Sequence, residues 1–553
     1  MAARLIVVAL FFFTQTAQPA SLFKDVAQQA GLKFQHYNGM TGKFYLPEIM
    51  GSGAALFDFD NDGDLDVFLI QGNVLEPNKQ PQNTLFPWRG SESPRGKLFR
   101  NDLGKTGLSF TDVTQQSGIL ATGYGMGAAV GDINNDGLPD LYVTNLGSNQ
   151  MYLNQGQGKF VDVTKTSGTD DPRWSTSASF FDYDRDGWLD LMVVNYAEFS
   201  VANNPACFAA TTAKDYCTPR VFRAPGNRLF HNKGNGTFED VTSSAGVDKE
   251  FGHGLGIVTA DFNNDGWIDV YVANDGDPNQ LWTNQKNGRF VNDALLAGCA
   301  VNRNGQAEAG MGIDAGDFDG NGTEDLFVTH LMEETNTLYV NLGGGLFEDR
   351  TRESGLAVPG RRFTGFGTSF FDYDNDGWLD LLIVNGAVQL LPQKQPFPLG
   401  QPNQLFHNIG KGSFAEVVAE ELQALEVSRG AAFGDVDNDG DVDVLVTNNN
   451  GPARLFINQV GNRNHWVGLR LVGKDGRDML GAQVGIVVAD NNILWRRVRT
   501  DGSYLSASDA RVLVGVGAAM RVTAVRVRWP DGTTEEWKDL PVDRYTVLKQ
   551  GRV

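Results

Sequence analysis

The chain has 553 residues, 41% of them hydrophobic, 66 glycines and a formal charge of −21. That apolar content allows several domains or one large repeat architecture, and the glycine count fits tight turns used many times. The acidity argues against nucleic acid as a partner.

Residues 1–20, MAARLIVVALFFFTQTAQPA, place Arg4 ahead of nine apolar residues from Leu5 to Phe13, followed by small and polar ones. This layout predicts an export signal, because the apolar run falls short of the roughly 20 residues that span a bilayer. No later segment is a membrane candidate, so the expected location is secreted or periplasmic.

From residue 58 onward the pattern D-x-[DN]-x-[DN]-G-x-x-D occurs seven times. Its oxygen-bearing side chains at positions 1, 3, 5 and 9 are Asp58, Asp60, Asp62 and Asp66, then Asp132, Asn134, Asp136 and Asp140. The third and fourth copies supply Asp182, Asp184, Asp186, Asp190 and Asp261, Asn263, Asp265, Asp269. The fifth and sixth supply Asp317, Asp319, Asn321, Asp325 and Asp372, Asp374, Asp376, Asp380, and the last Asp435, Asp437, Asp439 and Asp443. Such a spacing lets a tight loop fold around one hard cation, with glycine at position 6 for the sharp turn and a backbone carbonyl at the variable position 7. Oxygen ligands without His or Cys select calcium, up to seven ions. Asp-Asn-Gly clusters also form plain turns, but 25 of the 28 ligand positions are carboxylates. The closing Asp at position 9, and the strands around each copy, exclude EF-hands.

The loop sits inside a longer repeat of about 63 residues,. Small pairs such as Gly51/Gly53, Gly125/Gly127 and Gly310/Gly312 precede each copy, and apolar strands such as LDVFLI or LDLMVVN follow it. Next come N-x-L-F-x-N strands (NRLFHN, NQLWTN, NQLFHN) and a Gly-rich turn into a fourth strand such as NGTFEDVT,. Four strands per unit predict an all-β, seven-bladed β-propeller over residues 21–461, with the small pairs crowding the axis. The seventh unit lacks its fourth strand after ARLFINQ. SLFKDVAQQAG, residues 21–31, matches the missing piece and is expected to close the ring,.

Residues 462–553 read as a separate small β-domain. In VRVRW, Val525, Val527 and Trp529 alternate with Arg526 and Arg528,. This segment carries 15 Lys/Arg against 10 Asp/Glu, which suits docking on the acidic propeller and, as a weaker alternative, a surface for an anionic glycan.

The loops and strands resemble FG-GAP/VCBS repeats, which also occur in integrin α-chains. GAQVGIVV, VRTDGSYLSASDARVLVGVG and VRWPDGTTEEW resemble the ASPIC/UnbV domain. Together they resemble the cartilage acidic protein family, which implies a secreted calcium-binding protein.

Cys207 and Cys217 share one insertion and are expected to pair in an oxidising compartment, leaving Cys299 buried,. Strand directions place the enlarged connections 71–96, 196–226 and 386–402 on the face away from the metal loops. The residues leading into the first strands lie there too: Glu48, Tyr124, Trp174, His253, Glu308, Thr364 and Arg429. Tyr124, Trp174, His253 and Arg429 are the candidate ligand anchors around a channel mouth. His231 and His407 share one repeat position and read as structural. No nucleophile elbow, phosphate loop or zinc pattern appears. The sequence therefore points to a binding or adhesion module for glycans or extracellular proteins. The enzymatic rival is a carbohydrate-active lyase or dehydratase using His253, Tyr124, Glu48 and Glu308 as acid and base.

Overall fold

The computed structural model describes residues 21–209, 213–389, 399–488 and 493–552; the export signal expected at 1–20 and residues 390–398 of the third insertion lie outside them. Seven antiparallel sheets of four strands account for residues 23–458. The first is Ala54–Phe57, Asp66–Leu69, Lys97–Asn101 and Phe110–Asp112. Six others repeat that order, and we number them blades 1 to 7 along the chain. The first strands touch their neighbours in a closed cycle, from Ala54–Phe57 through Tyr124–Gly131 and on to Ser428–Gly434, which returns to Ala54–Phe57. The fold is an all-β propeller.

In blade 7 the outer strand comes from the N-terminus. Phe23–Asp25 pairs antiparallel with Arg454–Asn458, in the register Phe23↔Asn458 and Asp25↔Phe456. Phe23 is fully buried, and Asp25 receives a 2.8 Å ion pair from Arg454.

Two asparagine sets stitch neighbouring blades together. The last residue of each third strand (Asn101, Asn154, Asn232, Asn284, Asn341, Asn408, Asn458) donates its side-chain N–H to a carbonyl in the metal loop of the preceding blade. Asn101 reaches Val436 and so joins blade 1 to blade 7. At position 4 of the loops, Asn61, Asn135, Asn375 and Asn438 are left-handed (φ 55–57°) and donate to the glycine carbonyl of the next loop. Asn tolerates that backbone region better than most residues.

The C-terminal segment forms two packed sheets. One joins Val512–Gly517, His465–Val472 and Tyr545–Lys549, the other Ile493–Arg497, Gln483–Val487, Ala524–Arg528 and Thr534–Lys538. Val525, Val527 and Trp529 are buried between them while Arg526 and Arg528 face out.

This segment docks on the metal-loop face, and its arginines make much of the contact. Arg470 donates to Asn61, Arg496 to the Gly377 carbonyl, Arg497 to Glu324, and Arg511 to Asn438 and the Asp435 carbonyl. From there residues 499–509 run into the propeller axis and meet the first strand of every blade. Ala507 pairs with Ala54 and Leu56, the Leu505 carbonyl accepts from Ala128, and the Leu505 N–H donates to Ser177. Asp501 accepts from Thr259 and Ser179. Ser503 bonds Ile313 and Thr368, and Ser508 and Asp509 bond Phe433. The small pairs have their reason here: a Cβ on Gly53 would lie 1.7 Å from the Leu505 carbonyl oxygen, and one on Gly312 2.0 Å from that of Phe366.

Candidate metal centres and binding face

Each loop of the repeat is organised by its own aspartates. In the first, Asp58 accepts the N–H groups of Asp62 (3.0 Å) and Gly63 (2.9 Å). Asp66 accepts those of Phe59 (3.0 Å) and Asn101 (2.7 Å), tying the loop to the third strand. The bond from the position-6 glycine recurs at Asp132, Asp182, Asp261, Asp317, Asp372 and Asp435. That glycine has φ between 82° and 98°, where other residues are strained,.

Carboxylate oxygens then converge. One oxygen each of Asp58, Asp60 and Asp62 lies within 4.8 Å of the others, as do those of Asp182, Asp184, Asp190 and of Asp317, Asp319, Asp325. Burial pushes Asp58, Asp132, Asp182, Asp261, Asp317 and Asp435 up to about 6, and Asp269 to about 8. Among the described residues, Asp60 Oδ1, Asp182 Oδ1, Asp374 Oδ1 and Asp437 Oδ1 are buried without a hydrogen-bond partner. Orphaned carboxylate oxygens at loop positions 1 and 3 are what a hard divalent cation satisfies. The donor set fits calcium.

Two histidines stand closer to these loops than the sequence suggests. His231 Nδ1 is 3.1 Å from Asp190, and His407 Nδ1 is 3.0 Å from Asp380. The hydrogen bonds to those carboxylates push both imidazoles up to about 9. Each also joins two loop aspartates, Asp184 and Asp186 or Asp374 and Asp376, in a cluster whose ligand atoms lie within 4.8 Å of one another.

At the other end of the first strands, the expected open ring of anchors is closed. Tyr504, at the tip of the axial segment, donates to the Met50 carbonyl (2.9 Å) and packs edge-on against Phe366. Arg429 is not an exposed anchor. It is fully buried, donates to the carbonyls of Ile49, Gly386, Ser428 and Ala387, and stacks on Phe366 at 3.9 Å. Tyr124 and Trp174 are also buried, with the Tyr124 hydroxyl on the Asn38 carbonyl. The reason is common to all three: the insertions and the axial segment fold over the strand ends and bury an aromatic cluster that includes Tyr196, Tyr216 and Phe222.

The four acid–base candidates do not assemble. His253 is buried, with Nδ1 2.7 Å from Asp277 and Nε2 3.2 Å from the Phe222 carbonyl, so neither nitrogen is open to a substrate. Glu48 accepts from Thr41 and Tyr216, with burial pushing it up to about 7, and Glu308 accepts from Thr337. Tyr124 and Glu48 meet through Asn38, whereas the side chains of His253 and Glu308 belong to other hydrogen-bond sets. Replacing His253 by Ala is expected to destabilise the chain by about 1–3 kcal/mol, read as a lower Tm, because it strips the imidazole from Asp277 and from the Phe222 carbonyl of the second insertion.

That insertion carries a disulfide between Cys207 and Cys217, while Cys299 is buried and free. Between it and the first insertion lies a groove of about 760 Å³, whose walls include Leu75, Lys79, Arg173, Phe199 and the edges of Tyr124 and Trp174. Trp174 Nε1 has no hydrogen-bond partner among the described residues.

Residues 58–143, 132–193, 221–272, 261–328, 317–383 and 398–446 match the family described as FG-GAP-like repeat, together more than half of the chain. The chain belongs to the FG-GAP-like repeat family. Residues 473–553 match the ASPIC and UnbV family. Cartilage acidic protein 1 of Mus musculus is 32% identical over 33% of this chain and 28% of its own length. The Homo sapiens protein is 31% identical over 33% and 27%, and that of Xenopus tropicalis 25% over 55% and 38%. This FG-GAP chain thus spans between about a quarter and two fifths of the relatives it matches. Among solved structures, an Agrocybe aegerita lectin described as recognising non-reducing terminal N-acetylglucosamine is 13% identical. It covers 80% of this chain and 92% of its own at a TM-score of 0.36. The structure described as YCF48 bound to D1 peptide covers 80% and 97% at 7% identity and a TM-score of 0.42. Overlaps this loose carry no argument about function. No described helix is long and apolar enough to cross a membrane.

Proposed function

We propose that this chain is an exported, calcium-loaded propeller that acts as a binding or adhesion module for a glycan or an extracellular protein. Its ligand is received on the face away from the metal loops. One observation carries this reading: the loop face is covered by the C-terminal domain, whereas the opposite face carries the groove between the first and second insertions. At about 760 Å³ the groove is in the size range of ligand sites, and its walls mix apolar residues with polar and charged ones such as Lys79, Arg173 and Glu198,. Calcium in the seven loops would neutralise carboxylates that burial otherwise disfavours and fix the strand ends.

The test fills the groove. Thr122 is exposed on its wall, and Thr122→Trp should leave melting unchanged while lowering capture of ligands from a glycan array and an extracellular protein library at least tenfold. Undiminished capture by the variant would move the binding surface elsewhere. The lyase or dehydratase reading has no observation in its favour, since its base, His253, has both nitrogens engaged.

A further inference from the structure

A second groove lies where the first insertion meets the seam between blades 7 and 1. Its volume is about 600 Å³, and its walls include Tyr37, Phe86 and Trp88 together with Lys33, Arg89 and Lys97. No described carboxylate lines it, although the chain carries a charge of −21. Lys97 is paired with Asp112 at 2.7 Å. Lys33 and Arg89 are exposed and form no ion pair among the described residues.

The aromatic wall is already fixed. The Trp88 indole donates to the Glu92 carbonyl (2.6 Å) and its ring lies 5.6 Å from that of Tyr37, whose hydroxyl donates to the Pro81 carbonyl (3.0 Å). Phe86 remains 51% exposed beside it. Below, His36 accepts the Asn450 N–H on Nδ1, while its buried Nε2 has no partner among the described residues.

We propose that this groove binds an acidic oligosaccharide, one bearing uronate carboxylates. Lys33 and Arg89 meet the carboxylates with charge-assisted hydrogen bonds, while Trp88 and Phe86 offer flat apolar faces to the sugar rings. An extended acidic peptide fits less well. One that bound by adding a strand would need an open sheet edge, and the strand that begins at Lys97 is paired on both sides, with Leu69↔Lys97 and Phe99↔Asp112. The inference rests on the reading that ligands are received on this face, and it names a chemistry for them.

The experiment is calorimetric titration of the full calcium-loaded chain with tetragalacturonate, its methyl ester, and polyglutamate of matched charge. Arg89→Glu and Lys33→Glu should each weaken tetragalacturonate binding at least tenfold. Thr122→Trp in the other groove and Lys165→Glu, an exposed charge elsewhere, should leave it unchanged. The methyl ester should not bind. The proposal is overturned by no binding of tetragalacturonate, by equal binding of the ester, by tighter binding of polyglutamate, or by an equal loss in Lys165→Glu, which means diffuse charge. A loss confined to Thr122→Trp also overturns it but leaves the broader reading standing, because the ligand then sits in the neighbouring groove.

Discussion

Chelation of calcium is expected to lower Tm by about 10 °C or more. Each site stabilises by RT ln(1 + [Ca]/Kd), up to about 1.4 kcal/mol at millimolar calcium for Kd near 10⁻⁴ M, and seven sites sum to roughly 10 kcal/mol. For a chain of this length 1 kcal/mol moves Tm by about 1–2 °C, continuing the trend from smaller domains. The pH dependence gives a second signature. Six position-1 aspartates are raised by burial to about 6, above the ordinary value of 3.8. Between pH 4 and 6 the metal-free fold therefore binds more protons than the unfolded chain, and its stability falls as pH rises through that window. With calcium present the order reverses, because the ion competes with protons and gains affinity as they leave. Scanning calorimetry with and without chelator at pH 4.5 and 7 measures both effects. An unmoved Tm would reduce the loops to hydrogen-bonded turns.

Removing residues 21–30 is expected to abolish soluble, cooperative folding. The deletion takes away the outer strand of blade 7 together with Phe23, Ala27 and Ala30, all buried. It exposes the hydrogen-bonding edge of Arg454–Asn458 and leaves Arg454 with only Glu426 of its two carboxylates. Phe23→Ala, a smaller insult, should cost about 3–5 kcal/mol. Size-exclusion chromatography and thermal melts distinguish aggregation from a tolerated loss, and a deletion variant that melts cooperatively as a monomer would show that three strands suffice in blade 7.

The propeller was legible because its constraints are local and written seven times. Spacing of oxygens, glycine at position 6 and strand alternation each report on neighbours a few residues away. The stitching asparagines were visible as letters, in N-x-L-F-x-N and at position 4 of the loops, but their role depends on a carbonyl in the adjoining blade. The burial of the anchors was hidden for a similar reason. Strand direction gives the face on which Arg429, Trp174 and Tyr124 lie, yet whether that face is open depends on what covers it. The cover comes from the insertions and from TDGSYLSASD, residues 500–509. Small polar residues in a crowded axis have the same composition as an exposed loop, so nothing in that stretch announces burial.

That axial stretch also bears on how the molecule is made. Tyr504 bonds a carbonyl 454 positions earlier in the chain, and Ser506 an amide 452 positions earlier. During synthesis the seven inner strands emerge long before the residues that satisfy their central amides, and buried backbone groups left unpaired are costly. A chain cut short before residue 499 keeps a hollow centre, however complete its blades. Loss of the C-terminal segment is therefore felt at the middle of the propeller, in every blade at once.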